Sequence, residues 1–255
     1  MVIINTVKLP SKKIDDSNPT PLYYQVREII ASAIEEGNYD SSYKLPSERE
    51  LAEIFGLSRM TVRQATTSLV NDGVLVRKRG MGTFVAPPKM EQGLLQLTGF
   101  TEDMKQRGMV PSTRFLSVKK IRASESAAQK FSIVKGDQVI VLERLRLADG
   151  EPMAYEVSHL PWQRFPGLDA HITSGQALSL YEILKTKYGA EIFKARQSIE
   201  ATLATAREAE LLNINKGTPL LLLERFTLDK PGNVIEVVKS LYRADRYKFH
   251  VELMR

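Results

Sequence analysis

The sequence predicts an α+β chain in two parts: a small helical domain ending in a basic hairpin, then a larger domain with a mainly antiparallel sheet and helices. Three observations predict it. Between Ser47 and Asn71 two short amphipathic patterns are separated only by Gly56-Leu57-Ser58. Val74 to Val85 then reads as two short strands around a tip rich in Arg and Gly. After Ala86-Pro87-Pro88-Lys89, which can continue neither a helix nor a central strand, strand-length apolar runs parted by turn residues take over.

Each element has its own signal. Residues 1–18 are polar, with Lys12, Lys13, Asp15 and Asp16, and are expected to form a flexible tail. Thr20 and Pro21 suit the N-cap and first turn of a helix that carries Leu22, Val26, Ile29, Ile30, Ala33 and Ile34 on one side and ends at Gly37. Ser47 and Glu50 have the spacing of a capping box. The helix they open bears Leu51, Ala52 and Phe55, and Gly56 can take the left-handed conformation that stops it. Ser58 caps the next helix, which buries Val62, Ala65, Leu69 and Val70 while Arg59, Thr61, Arg63 and Gln64 point elsewhere. So tight a connection makes the two helices cross steeply and leaves the second proud of the surface. Val74, Leu75 and Val76 can then pair with Thr83, Phe84 and Val85 across a tip from Arg77 to Gly82.

This is a helix-turn-helix followed by a wing, over residues 19–86. Its second helix and hairpin carry cations in the order that groove binding needs, with Asp72 the one acid between Ser58 and Lys89. The expected partner is double-stranded DNA. Ser58, Arg59, Thr61 and Arg63 belong at base edges and phosphates of the major groove, and Arg49 at a phosphate or a guanine. Lys78, Arg79, Gly80, Gly82 and Thr83 bring the wing towards the minor groove.

Composition is compatible with that reading and excludes several others. The 255 residues give room for two domains, 43% hydrophobic residues suffice for real cores, and a net charge of +6 suits a polyanionic partner. With no cysteine there are no disulfides, thiol catalysis or Cys-based zinc sites. His159, His171 and His250 are isolated, so no metal site is expected. Without a nucleophile beside a base or a cofactor loop, no catalytic residue and no cofactor are expected either. The start has too short an apolar run for a signal peptide and no stretch suits a membrane span, which predicts a cytoplasmic protein with no membrane partner.

Residues 87–92 read as a linker and 93–255 as the second domain. Strands are expected at Phe115 to Ile121, Val139 to Leu147, Met153 to Leu160, Ser198 to Leu203, Leu220 to Leu228, Val234 to Leu241 and Lys248 to Met254. Helices fit Phe100 to Arg107, Ser124 to Phe131, Ser179 to Tyr188 and Ala206 to Asn213, the last opened by a Thr205–Glu208 capping box. The stretch from Phe131 to Leu147 resembles that from Leu212 to Leu228, and both contain Lys-Gly and Leu-Glu-Arg. Each copy follows a capped helix and precedes a turn and a strand carrying Glu156 or Glu236. The domain therefore reads as a diverged duplication whose two hairpins meet at a cleft.

Leu45 to Ala52, Ser58 to Ala65 and Gly80 to Val85 resemble the winged-helix domain of GntR-family bacterial transcription regulators. The second domain resembles the effector-binding UTRA domain of the HutC subgroup, whose fold is similar to chorismate lyase. Gly93 to Gly108, Glu143 to Leu147, Gly150 to Glu156 and Ser240 to Phe249 look closest to repressors of N-acetylglucosamine utilisation. The resemblance is weakest at Trp162 to Ala177. It implies a homodimeric repressor that binds two-fold related half-sites, dimerises through the second domain and responds to a small phosphorylated sugar such as glucosamine-6-phosphate or N-acetylglucosamine-6-phosphate. It also implies that Thr101, Arg144, Arg146, Ser179, Tyr181 and the Phe100 backbone hold the phosphate, and that Glu156, Glu236 and Tyr242 hold the sugar.

The chemistry is consistent. Arg144 and Arg146, two apart on a strand, point to one face and can grip one phosphate. The alternatives are a solvated, salt-bridged strand face for the arginines and water-facing carboxylates for Glu156 and Glu236. Lys239, His159 and Arg243 are possible additions to the sugar site. At the level of the whole chain, the alternatives are another anionic effector, a lyase-like enzyme fused to a winged helix, or a second domain that only dimerises or recruits a partner. One register condition follows. A plain two-residue turn at Asp149-Gly150 would oppose Arg144 to Tyr155 and turn Glu156 away. The shared face therefore predicts a bulge or a longer loop around Ala148 to Glu151.

Overall fold

The structure, a computed structural model, describes residues 5–10, 14–15, 17–78, 80–94, 97–173 and 179–253. It divides into two compact units, Met1–Met90 with Ala244–Arg246, and Glu91–Arg243 with Tyr247–Arg255.

In the first unit α1 (Leu22–Glu36), α2 (Glu48–Phe55) and α3 (Arg59–Asn71) precede a hairpin of β1 (Leu75–Lys78) and β2 (Gly82–Val85). The Ser47 hydroxyl accepts the Glu50 N–H at 3.2 Å while the Glu50 carboxylate accepts the Ser47 N–H at 2.7 Å, so both halves of the capping box are made. Gly56 stops α2 at φ 66°, in the left-handed region. The buried faces of the three helices meet in one core with Val26, Ile30, Leu51, Val62, Ala65 and Leu69.

Three local expectations need correction. Pro21 rather than Thr20 stands at the cap position of α1, and no side chain caps that helix. The N-terminal stretch is not all loose tail. Thr6 bridges to Lys44, Lys44 bridges to Phe84 of the wing, and Val7 is buried in the helical core. Val7, Leu9 and Ile14 all reach that core, but their spacing fits neither a helical nor a strand period, which is why the sequence does not announce it. The ladder of the wing also extends further than expected, pairing Arg77 with Thr83 and Lys78 with Gly82, while Val74 stays in the turn with its N–H on the Leu69 carbonyl. Arg77 and Lys78 therefore belong to a strand and not to the tip; Arg79 lies outside the described residues.

The second unit has the α+β architecture that the sequence predicts. It contains β3 (Met90–Gly93), α4 (Phe100–Gln106), β4 (Pro111–Arg122), α5 (Glu125–Phe131), β5 (Gln138–Ala148) and β6 (Glu151–Pro161). There follow a short 3-10 turn, α6 (Leu168–Thr173), α7 (Leu180–Tyr188), β7 (Ile192–Leu203), α8 (Ala206–Leu212), β8 (Pro219–Asp229), β9 (Val234–Arg243) and β10 (Tyr247–His250). Six strands form an antiparallel sheet in the order β4-β5-β6-β9-β8-β7. β3, which begins inside the stretch read as linker, pairs with β10. The last strand runs over Tyr247–His250, one residue earlier than expected, and Val251 to Leu253 do not continue it; Met254 lies outside the described residues.

Helices pack on both faces of the sheet over its central strands. Ile140, Leu142, Leu160 and Ile235 pack under α6 and α7, while Val139, Val237 and Leu145 pack against α5 and α8. Burial on both sides is why these strands read as continuous apolar runs and not as alternating ones. The two meanders β4-β5-β6 and β7-β8-β9 repeat each other and join through β6 and β9, with Val157 opposite Lys239 at the middle of the seam.

Replacing Ser47 with Ala should remove one of the two reciprocal bonds at the start of α2 and lower the stability of the winged-helix unit by about 1 kcal/mol. Urea denaturation followed by the helical circular-dichroism signal measures it.

Candidate functional site

On the first unit the side chains expected at DNA lie along the start of α3 and the wing. Arg49 is exposed and within 3.6 Å of Glu53 in the next turn of α2. The Ser58 hydroxyl accepts the Thr61 N–H at 3.2 Å and stands 2.9 Å from the Thr61 hydroxyl, so these two residues fix the helix start. Arg59 and Arg63 are exposed beyond them. Arg77 is committed within the protein, to the Thr67 hydroxyl at 2.9 Å and to Glu48 at 3.4 Å. Lys78 lies over the Phe84 ring, Gly80 has φ 73° and Gly82 has φ 114°. A Cβ at Gly82 would stand 2.6 Å from the Lys44 side chain, which runs beneath the wing. The carbonyl of Thr83 accepts the Leu45 N–H at 2.8 Å. Met60 and Gln64 on α3 and Met81 beside Gly80 are exposed as well.

On the second unit a narrow cleft, partly open to solvent, lies over the β6–β9 seam. Its geometry depends on a bulge. The turn at Asp149-Gly150 is a two-residue one, with positive φ at both positions, and Ala148 pairs with Glu151. The extra residue sits within β6. Leu147 pairs with Pro152 and Arg146 with Ala154, which leaves Met153 without a partner. The expected bulge exists, but beyond Glu151, because the Asp-Gly pair already closes the turn. Arg144 consequently stands opposite Glu156.

The side chains there form a buried polar cluster. Arg144 Nη2 donates to the Ser158 hydroxyl at 2.7 Å and lies 3.1 Å from Glu156 and 3.8 Å from Glu236. Arg146 donates to the hydroxyls of Thr113 at 2.7 Å and Thr101 at 2.8 Å, and its guanidinium lies over the Phe100 ring. Burial pushes the Arg146 guanidinium down, with Glu156 opposing. The Tyr181 hydroxyl donates to Glu236 at 3.0 Å. Burial raises the phenols of Tyr181 and Tyr242 well above their ordinary range, so both stay neutral. Ser179 stands at the start of α7 with its hydroxyl unused as a cap.

Of the expected effector residues, Phe100, Arg144, Arg146, Glu156, Ser179, Tyr181, Glu236 and Tyr242 line this cleft, and Thr101 reaches it through Arg146. Lys239 and His159 do not; they line a separate hollow with Tyr155 and Leu241, on the sheet face of the α8 core. Arg243 is bound to Glu151 at 3.0 Å. Sequence reasoning missed Arg225, Gln197, Ser158 and Ser240. The signal for Arg225 was present, because Glu224-Arg225 repeats Glu143-Arg144. The carboxylates are not repeat equivalents, since β9 has its own bulge at Ile235 and this matches Glu236 with Ala154 and Glu156 with Val238. Among the described residues no group of His, Asp and Glu could hold a metal ion, and no helix is long and apolar enough to cross a membrane.

Comparison with known proteins gives two family matches. Residues 22–85 match the bacterial regulatory proteins of the gntR family, and residues 106–248 match the UTRA domain. The HTH-type transcriptional repressor NagR of Bacillus subtilis (strain 168) is 44% identical over 237 residues, 92% of this chain and 96% of that protein. The HTH-type transcriptional regulator GgaR of Escherichia coli (strain K12) is 29% identical over 244 residues, 95% of each chain. Among solved structures, PhnF from Mycobacterium smegmatis is 34% identical with a TM-score of 0.62, over 90% of this chain and 99% of that one.

Removing one member of the buried cluster leaves the others uncompensated. Glu156→Ala should therefore lower the unfolding free energy of the second unit by about 3 kcal/mol, whereas Arg144→Met with Glu156→Leu should cost much less. Paired denaturation curves of the two variants test this.

Proposed function

Because the chain belongs to the gntR family of bacterial regulatory proteins and carries a UTRA domain, we propose that it is a transcription repressor of amino-sugar uptake and metabolism genes, its operator binding set by a phosphorylated amino sugar. The observation that carries the effector half of this reading is the pair Arg144 and Arg146 on one strand face, inside a cleft that also holds two carboxylates and two neutral phenols. A phosphate needs the guanidinium forks together with the hydroxyls of Thr101 and Ser179 and the N–H groups that open α7. The hydroxyls and nitrogen of a sugar need Glu156, Glu236 and Tyr242. Glu156 now occupies the two arginines, at 3.1 and 3.8 Å. A phosphate entering the cleft takes its place and releases that carboxylate to the sugar. Phosphate and sugar are thus recognised together.

The DNA half rests on the winged helix. The start of α3, with Ser58, Arg59, Thr61 and Arg63, enters the major groove, Arg49 meets the backbone or a guanine, and Lys78, Arg79, Gly80, Gly82 and Thr83 follow the wing to the minor groove. Two copies joined through their second domains engage two-fold related half-sites, and the protein acts in the cytoplasm. The domain limits given above, 19–86 and 93–255, are part of this reading.

Glucosamine-6-phosphate and N-acetylglucosamine-6-phosphate test the effector half by thermal shift. Ligand at about 100 times its dissociation constant should stabilise the protein by roughly 2.7 kcal/mol, and Arg144→Ala should remove the response. Selection from a randomised duplex library, followed by gel shift, tests the DNA half. Arg63→Ala should cost about 1–3 kcal/mol and relax one position of the selected site. Affinity should also fall about a thousandfold between 50 and 200 mM salt if two heads share 6–10 phosphate contacts. A chain that selects no sequence refutes the DNA half.

A further inference from the structure

The cleft holds three cations, Arg144, Arg146 and Arg225, against two carboxylates, Glu156 and Glu236. The surplus charge can be located. Arg225 stands in β8 where Arg144 stands in β5, but the strand partner of Arg144 is Glu156 and that of Arg225 is Val238. No carboxylate among the described residues lies within ion-pair distance of Arg225. Its Nε donates to the Gln197 side-chain carbonyl at 2.7 Å and its Nη1 donates to the Thr98 backbone carbonyl at 3.2 Å. Both partners are neutral. Holding neutral acceptors does not require a full charge, and a largely buried charge with no counter-ion is costly unless something else uses it.

We infer that Arg225 is a specificity-determining residue of the effector cleft, its unpaired charge selecting an anionic group on the ligand beside Tyr181 and Ser179. This rests on the effector reading above and extends it. Two of the three guanidiniums have carboxylates to surrender before they can take an anion, whereas Arg225 has none. The position of Arg225 across the seam from Arg144 means that the anion is gripped from both halves of the duplicated domain. It also ties that grip to Thr98, immediately before α4.

The test uses the full chain with Arg225→Gln, which keeps hydrogen-bonding groups and removes the charge, and Arg225→Lys, which restores the charge. Isothermal titration with glucosamine-6-phosphate should show affinity about tenfold or more weaker for Arg225→Gln, with much of it recovered in Arg225→Lys. The ligand-free melting temperature of Arg225→Gln should be unchanged or higher, because an uncompensated charge leaves the interior. An Arg225→Gln protein that binds like the wild type overturns the inference. So does one that melts lower and is not rescued by Lys, since Arg225 is then only a structural tie. Inorganic phosphate, titrated in parallel by thermal shift, separates this inference from the effector reading. Wild-type protein stabilised by phosphate, with the effect lost in Arg225→Gln, supports the role of Arg225 even if the amino-sugar phosphate does not bind. Wild-type protein stabilised by neither probe overturns both.

Discussion

Met153 has no partner across the hairpin, and the chemistry of the cleft depends on that gap in the ladder. Side chains on a strand alternate between faces, so one additional residue between Pro152 and Ala154 transfers everything beyond it from one face to the other. With the bulge, Glu156 meets Arg144 and Ser158 over the seam. Without it, Tyr155 and Val157 would fill those positions and the two arginines would lose Glu156, the carboxylate nearest to them. The tight Asp149-Gly150 turn leaves no slack at the end of the hairpin, so the shift has to be absorbed within the strand. The second hairpin absorbs its own at Ile235.

The winged helix was legible almost residue by residue because its signals are local. Ser47, Glu50, Gly56 and Ser58 act within one turn of where they stand, and their hydrogen bonds are those the spacing implies. What escaped was long-range. Val7 completes a core built from residues far along the chain, and Arg77 looks like a free cation until Thr67 and Glu48 are found beside it. Cations in a wing are not interchangeable, and only a folded chain says which are already in use.

In the second domain the strands of the large sheet are readable from their apolar runs, and the repeat brings the two hairpins together, but the strand order and the β3–β10 pair are not legible in the sequence. Nor is α6, because its apolar residues Leu168 and Ile172 are too few to set a period. For the cleft, residues two apart on a strand declared their common face, while groups on different strands did not. Arg225 is the instructive case. Its repeat partner had been singled out, yet Arg225 itself was passed over. Recognising it required the register of two hairpins and the knowledge that Val238 stands where Glu156 stands in the other half.

The seam between β6 and β9 also bears on how a small molecule can lie there. Two like halves joined by a pseudo-dyad would, if identical, accept the same guest in two poses related by a half-turn. That degeneracy is broken here. Rotation about the seam exchanges Arg146 for Thr227, Glu156 for Val238 and Ala154 for Glu236. Of the polar groups at the cleft, the two arginines at Arg144 and Arg225 and the serines at Ser158 and Ser240 survive the operation. A guest turned end for end keeps those common anchors and loses the rest, so divergence between the copies has given a once two-faced binding surface a head and a tail.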